Sequence, residues 1–266
     1  MAPRIRVCLE GPLAPSLAPL RALSAAQAHH LARVLRAAQG DPLVVFDGLG
    51  SECDAVVESI VQRKRELEIS LRLLDPVRAG VRADRANVVI LQALLKSDKV
   101  DSVVRACAEL GATGFVPVWT DHVVLRGSVR EDLDKQRAWQ RDWQHLAVGA
   151  SEQCGRADVM HVQAPQTLLS AAQRARQEGR VGLFADEQGG PTAHQVLSRV
   201  DCSAGIAVVV GPEGGLSRDE RRALQDLGII GFSLGPRVLR AETAGPAIMA
   251  TLSALVGDTR AESLRA

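Results

Sequence analysis

The sequence predicts an α/β domain built on a mostly parallel sheet, preceded by a small β-rich domain. Three observations carry this. Residues 1–74 alternate short β-like runs around a single helix. Residues 75–87 lose apolar periodicity and carry Pro76 and Gly80, which marks a linker. Residues 88–266 then alternate buried apolar runs with helical repeats, the pattern of a parallel sheet covered by helices. At 266 residues the chain is long enough for two domains and can bury a core without disulfides or metal.

In the first domain, residues 5–9, 43–46, 55–60 and 67–73 read as strands. The helix between them starts at Ser24, whose hydroxyl caps the first turn while Gln27 reaches back as its capping-box partner. Gly40 is the expected stop. Leu31, Val34 and Leu35 form its expected buried face, which leaves Arg33 and Arg36 to point elsewhere. The turn Asp47, Gly48, Leu49, Gly50 joins two strands as a hairpin. In the second domain residues 88–95 give the first strand. Val100, Val103, Val104, Cys107 and Leu110 repeat at helical spacing until Gly111, and residues 115–119 form the next strand. A long helix over 129–148 carries Trp139, Trp143 and Leu146. Further strands fit 182–185, 206–210 and 231–234.

Composition excludes several classes. No apolar run approaches the ~20 residues that span a bilayer, and Arg4 and Arg6 sit in a β-like alternation, not before an apolar signal core. A cytoplasmic, membrane-free protein is expected. The cysteines Cys8, Cys53, Cys107, Cys154 and Cys202 are scattered without the close pairs that zinc or a redox disulfide needs, so no metal is expected and the thiols read as reduced, mostly core residues. Formal net charge is only +1, which argues against a strongly basic nucleic-acid binder. The positive charge is almost all arginine, with lysine only at Lys64, Lys96, Lys99 and Lys135. That suits bidentate phosphate recognition, although compositional bias accounts for it more simply.

Two segments carry chemistry, each after a buried strand and opening a helix. In Val210, Gly211, Pro212, Glu213, Gly214, Gly215, glycine lets the backbone approach a ligand at the carboxyl end of a strand, and Ser217 with Glu220 forms a second capping box. The run lacks the Gly-Lys-Ser/Thr ending of a P-loop and the spacing of a dinucleotide fingerprint; a plain tight turn is the alternative. In Leu234, Gly235, Pro236, Arg237, Val238, Leu239, Arg240, Ala241, Glu242, Thr243, Ala244, two arginines, a glutamate and a hydroxyl precede an apolar helix through Ile248, Met249 and Leu252.

Together these segments resemble the last two motifs of SPOUT methyltransferases, and in detail the RsmE family that methylates N3 of a uridine in small-subunit (16S) ribosomal RNA. The resemblance covers almost the whole chain. It includes His29-His30-Leu31 through Val34-Leu35-Arg36, Leu94-Leu95-Lys96, Glu109-Leu110-Gly111 and Glu152-Gln153-Cys154-Gly155-Arg156. Cys154 stands where serine is usual, and Met160 where a proline often follows. The resemblance implies a PUA-like N-terminal barrel, a C-terminal α/β domain closed by a trefoil knot, bound S-adenosylmethionine, and a homodimer acting on small-subunit rRNA or the assembled 30S subunit. It assigns the cofactor to Val210, Gly211, Pro212, Glu213, Gly214, Gly215, Leu234, Gly235, Leu239, Arg240, Thr243 and Ala244.

A uracil N3–H must lose its proton before the nitrogen lone pair can attack a methyl sulfonium, and the charge that develops on the flanking oxygens needs a cation. The resemblance makes Arg240 the first choice, with Arg156 and Arg237 as alternatives that hold phosphate instead. Glu213 or Glu242 accepts the proton, unless each only caps a loop. Arg4, His29, Arg33 and Arg36, with His30 beside them, form the RNA-facing set of the first domain; ordinary surface residues are the alternative. A SPOUT enzyme acting on tRNA or a ribose hydroxyl, and a non-catalytic ribosome assembly factor, are the competing readings.

Overall fold

The computed structural model describes residues 5–13, 20–63, 66–74, 76–82, 87–96, 99–123 and 129–256. Arg4 and the side chain of Val34, both given roles from sequence, lie outside this set. The chain divides into two compact units, residues 1–82 with 151–159, and residues 83–150 with 160–266.

The first unit is built on strands β1 (Ile5–Cys8), β2 (Leu20–Ala22), β3 (Pro42–Phe46), β4 (Ser51–Arg63), β5 (Glu66–Leu73) and β6 (Arg78–Ala79). They run in the order β1-β3-β4-β5-β2, with β6 on β4. β1 lies parallel to β3 and the other pairs are antiparallel. The β3–β4 hairpin turns on Asp47, whose carboxylate accepts the N–H groups of Leu49 at 2.8 Å, Ser51 at 3.0 Å and Leu13 at 3.2 Å. Burial opposes its charge, but the backbone bonds from Ser51, Leu49 and Leu13 outweigh that and hold the carboxyl below the usual carboxylate range. Leu43, Val45, Ile69 and Leu71 form the core beneath.

Helix α1 (Ala25–His29) opens on the expected Ser24–Gln27 capping box. It does not run to Gly40. The chain widens into a π-turn at His30–Val34, closed by Leu35 N–H donating to His30 O at 3.1 Å, and Arg36 then takes φ 55°. The extra residue in that turn breaks the 3.6-residue period. Leu31 is fully buried while Leu35, expected on the same face, is 36% exposed.

Residues 78–79, read from sequence as linker, pair with β4 because the segment still has backbone groups to satisfy. Residues 151–159, read as part of the second domain, belong to the first unit. Gly50 N–H donates to Ala157 O and Val159 N–H to Gly48 O, each at 3.0 Å, while Glu152 accepts Cys8 N–H at 3.0 Å.

The second unit runs β7 (Val88–Ala93), α2 (Lys99–Glu109), β8 (Gly114–Trp119), α3 (Leu133–Cys154), β9 (His161–Val162), β10 (Gln166–Thr167), α4 (Leu168–Gln177), β11 (Val181–Ala185), α5 (Ala193–Leu197), β12 (Ile206–Val210), α6 (Arg218–Asp226), β13 (Ile230–Phe232) and α7 (Ala241–Val256). The last residues of α3, from 151, count with the first unit. The sheet order is β10-β8-β7-β12-β11-β13 with β9 beside β8, every pair parallel. All five residues of β12 are buried, as a strand covered on both faces requires; each of its larger side chains contributes at most about 1.5–3 kcal/mol. From β13 at the edge, the chain returns to pack α7 on α2, β7 and β12. Gly245 makes the approach close, since a Cβ there would stand 3.1 Å from the buried Gln92 Oε1 and 3.2 Å from Val103. Ile248, Met249 and Leu252 are buried as expected.

Candidate active site

A cavity of about 610 Å³ opens at the carboxyl ends of β11, β12 and β13, the end at which open α/β sheets bind ligands. Three loops build it, two of them after the buried strands β11 and β12 and the third after the edge strand β13, where only Phe232 is buried. Residues 185–189 leave β11, 210–216 leave β12, and 232–242 lead from β13 into α7.

The β12 loop turns sharply, with Gly215 N–H donating to Pro212 O at 2.9 Å. Gly215 takes φ +68°, and a Cβ there would fall on the Glu187 carboxylate. The turn ends on the expected second capping box: Ser217 Oγ accepts Glu220 N–H at 3.1 Å and Glu220 returns to Ser217 N–H at 2.8 Å. Arg221, one residue on, ties two of the loops together. Its guanidinium donates to Leu216 O at 2.8 Å and Asp186 at 3.0 Å, and stands 3.6 Å from Glu187.

Of the residues expected to hold the cofactor, Val210, Gly211, Pro212, Glu213, Gly215, Leu234, Gly235, Leu239, Arg240 and Ala244 line the cavity. Gly214 and Thr243 do not. Gly214 turns toward His122, where a Cβ would stand 3.1 Å from the His122 Cβ, and Thr243 is exposed in the first turn of α7. The helix start is organised instead by Arg240, whose carbonyl accepts Thr243 N–H and Ala244 N–H at 2.9 Å each.

Glu213 and Glu242 converge on Lys99 at the start of α2. Its ammonium lies 3.4 Å from Glu213 and 3.3 Å from Glu242, and Lys96 N–H donates to Glu213 at 3.4 Å. Glu242 has its carboxyl held below the usual range by its own backbone N–H, with Lys99 and Arg240 adding to it. Such a carboxylate stays ionised and is a weak base. Arg240 and Arg237 are exposed and line the cavity.

The expected RNA set divides. His29, His30, Arg33 and Arg36 are exposed, whereas Arg156 is 4% exposed and pairs with Asp158 at 3.1 Å. A guanidinium buried in that fork has no face left for phosphate, so Arg156 is structural. Sequence reasoning missed Lys99, Arg221 and the β11 loop. The loop did carry a signal, since Gly189, Gly190 and Pro191 follow a buried strand, and Lys99 stood out as a rare lysine.

The lining fits a ligand of mixed charge. Lys99, Arg221, Arg237 and Arg240 face Asp186, Glu187, Glu213 and Glu242, and apolar walls come from Val210, Leu216, Leu234 and Leu239. Among the described residues, no cluster of His, Cys, Asp or Glu has metal-site geometry, and no helix is long and apolar enough to cross a membrane.

Residues 82–253 match the RNA methyltransferase domain family, and residues 23–69 the RNA methyltransferase PUA domain. The chain is 31% identical over 235 residues to the ribosomal RNA small subunit methyltransferase E of Synechocystis sp., covering 88% of this chain and 73% of that protein. It is 27% identical to the Bacillus subtilis protein of the same name, covering 85% and 87%. Two solved structures share the fold. One is a Legionella pneumophila methyltransferase with the cofactor SAM, at TM-score 0.84 and 29% identity over 96% of this chain and 99% of that one. The other is the Neisseria gonorrhoeae ribosomal RNA small subunit methyltransferase E bound to S-adenosyl methionine, at TM-score 0.82 and 25% identity, with the same coverage. With a SPOUT α/β domain, a PUA domain and relatives matched over most of both chains, this chain belongs to the ribosomal RNA small subunit methyltransferase E family.

Proposed function

We propose that this protein transfers the methyl group of S-adenosylmethionine to N3 of a uridine in small-subunit ribosomal RNA, acting in the cytoplasm as a homodimer. The observation that carries the reading is the cavity at the ends of β11, β12 and β13, whose apolar walls suit an adenine and whose mixed charges suit a group bearing a sulfonium, an ammonium and a carboxylate. When bound, that cofactor supplies an electrophile that needs no metal.

The chain's own residues then handle the base. Arg240, exposed at the cavity, stabilises the negative charge that spreads onto the uracil oxygens as N3 loses its proton. Glu213, on the cavity wall, takes the proton, because the Glu242 carboxyl is held below the usual carboxylate range and takes up a proton poorly. The ion pair with Lys99 holds both carboxylates at fixed places on the cavity wall. Arg237 at the cavity and the exposed Arg33 and Arg36 of the first unit contribute phosphate contacts, which position RNA without reading its sequence. A homodimer accords with closed two-fold pairs being the commonest assembly; light scattering of an active protein at a single chain's mass would overturn it.

The test uses small subunits from a strain that lacks this protein, incubated with labelled cofactor and then digested to nucleosides. Label in 3-methyluridine supports the proposal. Label on a ribose hydroxyl, in tRNA only, or nowhere refutes it.

A further inference from the structure

We infer that His122 is a positioning residue of the cofactor loop, locking the backbone of the glycine turn at Gly214 and Gly215 from a strand that is not its neighbour. The inference rests on reading the cavity as the cofactor site.

Strand β7 separates β8 from β12 in the sheet. The turn that leaves β8, closed by Val123 N–H donating to Thr120 O at 3.3 Å, nevertheless reaches the β12 loop. His122 Nδ1 stands 3.0 Å from both Gly214 O and Gly215 O. Both partners are carbonyl oxygens and only accept, so Nδ1 carries the hydrogen and donates to the pair.

The glycine turn gives an independent sign of the same contact. A Cβ on Gly214 would stand 3.1 Å from the His122 Cβ, close enough that one of them would have to give by a few tenths of an ångström, with the ring Cγ at an ordinary 3.5 Å. The bare position therefore serves the imidazole, while Gly215 serves the cavity. The ring is held in turn by its neighbours. Ser217 Oγ donates to Asp121 Oδ2 at 2.7 Å, Asp121 N–H donates to Glu220 Oε1 at 2.9 Å, and Val123 packs against the apolar cluster that includes Leu216.

Peptide planarity converts this contact into an effect on the site. Fixing the Gly215 carbonyl toward His122 presents the Leu216 N–H on the opposite edge of the same peptide. Fixing the Gly214 carbonyl likewise orients the Gly215 N–H toward its bond with Pro212. Gly215 and Leu216 both line the cavity, and His122 does not. Its role is to set the loop before the ligand arrives, which lowers the ordering cost of binding.

The test titrates S-adenosylhomocysteine by calorimetry into the full-length protein and the variants His122→Ala, His122→Asn and His122→Gln, with melting temperatures measured alongside. An asparagine amide nitrogen can stand near the place of Nδ1, whereas glutamine's reaches toward that of Nε2. Alanine and glutamine should weaken binding about tenfold, as expected for the loss of one hydrogen bond shared between two carbonyls, and asparagine should stay within about threefold of wild type. The rate at saturating cofactor should change by less than about twofold. Wild-type affinity in His122→Ala would overturn the role, and so would asparagine as weak as alanine with melting temperatures lowered in step, which makes the ring a structural filler. A wild-type protein that binds no S-adenosylhomocysteine overturns the reading of the cavity itself, and this inference with it.

Discussion

Replacing Gly215 by alanine separates backbone strain from obstruction of the cavity, because both effects can be worked from the geometry. Gly215 holds φ +68°, a left-handed conformation that costs an L-residue about 1–2 kcal/mol. The new Cβ also falls on the Glu187 carboxylate. Glu187 is 45% exposed at its side chain and 3.6 Å from Arg221, an exposed pair worth about 0.2–1 kcal/mol, so it can swing aside at modest cost to folding. The total is about 1–3 kcal/mol, or roughly 2–12 °C in melting temperature for a domain of this size. The effect on binding is larger in proportion, because the methyl group and the displaced carboxylate both act in the cavity, and affinity for S-adenosylhomocysteine should fall at least about tenfold. Gly228→Ala is the control. Gly228 holds φ +73°, and its added Cβ would meet only Arg176 Nη2 at an ordinary 3.8 Å, away from the cavity lining. It should lose comparable stability and no affinity. Calorimetry and thermal melting on both variants decide the matter. Unchanged affinity in Gly215→Ala, or an equal loss in Gly228→Ala, refutes the reasoning.

Arg240→Ala should lower the single-turnover rate at saturating RNA by roughly 10² with little change in RNA affinity; lost binding with a normal saturated rate would make it a phosphate clamp. Arg33→Ala with Arg36→Ala should weaken RNA binding and make its dependence on log salt shallower by about 1.4–1.8 units, the share of two phosphate contacts, while cofactor affinity stays unchanged. Arg156→Ala removes the buried guanidinium that pairs with Asp158 and should cost about 3–5 kcal/mol of stability in chemical denaturation; a loss below about 1 kcal/mol would show that the pair is solvated. Acidification should release Lys99 from Glu242. Because the Glu242 carboxyl is held below its usual range in the folded protein, its stabilising contribution is present above the ordinary carboxylate pKa and is lost as pH falls through the lowered value, and Glu242→Gln should flatten that part of the stability–pH curve.

What the sequence determined by itself is what depends on neighbours within a few residues. The capping boxes at Ser24–Gln27 and Ser217–Glu220 are contacts three residues apart. The buried run at β12 needs no partner to be read as a strand covered on both faces. The two glycine-bearing segments after β12 and β13 reported a backbone that turns at the end of a strand, and most of the residues named there line the cavity. Tertiary structure decided the rest. Lys99 meets Glu213 and Glu242 from 114 and 143 residues away, and no local pattern signals which cation will fill the space between two carboxylates. Arg156 looked like a phosphate ligand by its residue type, but the fold buries it against Asp158. The π-turn at His30–Val34 removed Leu35 from the core because one extra residue per turn rotates every later side chain. His122 sits on an exposed turn with no pattern around it, and only the order of the strands brings its ring to the carbonyls of Gly214 and Gly215.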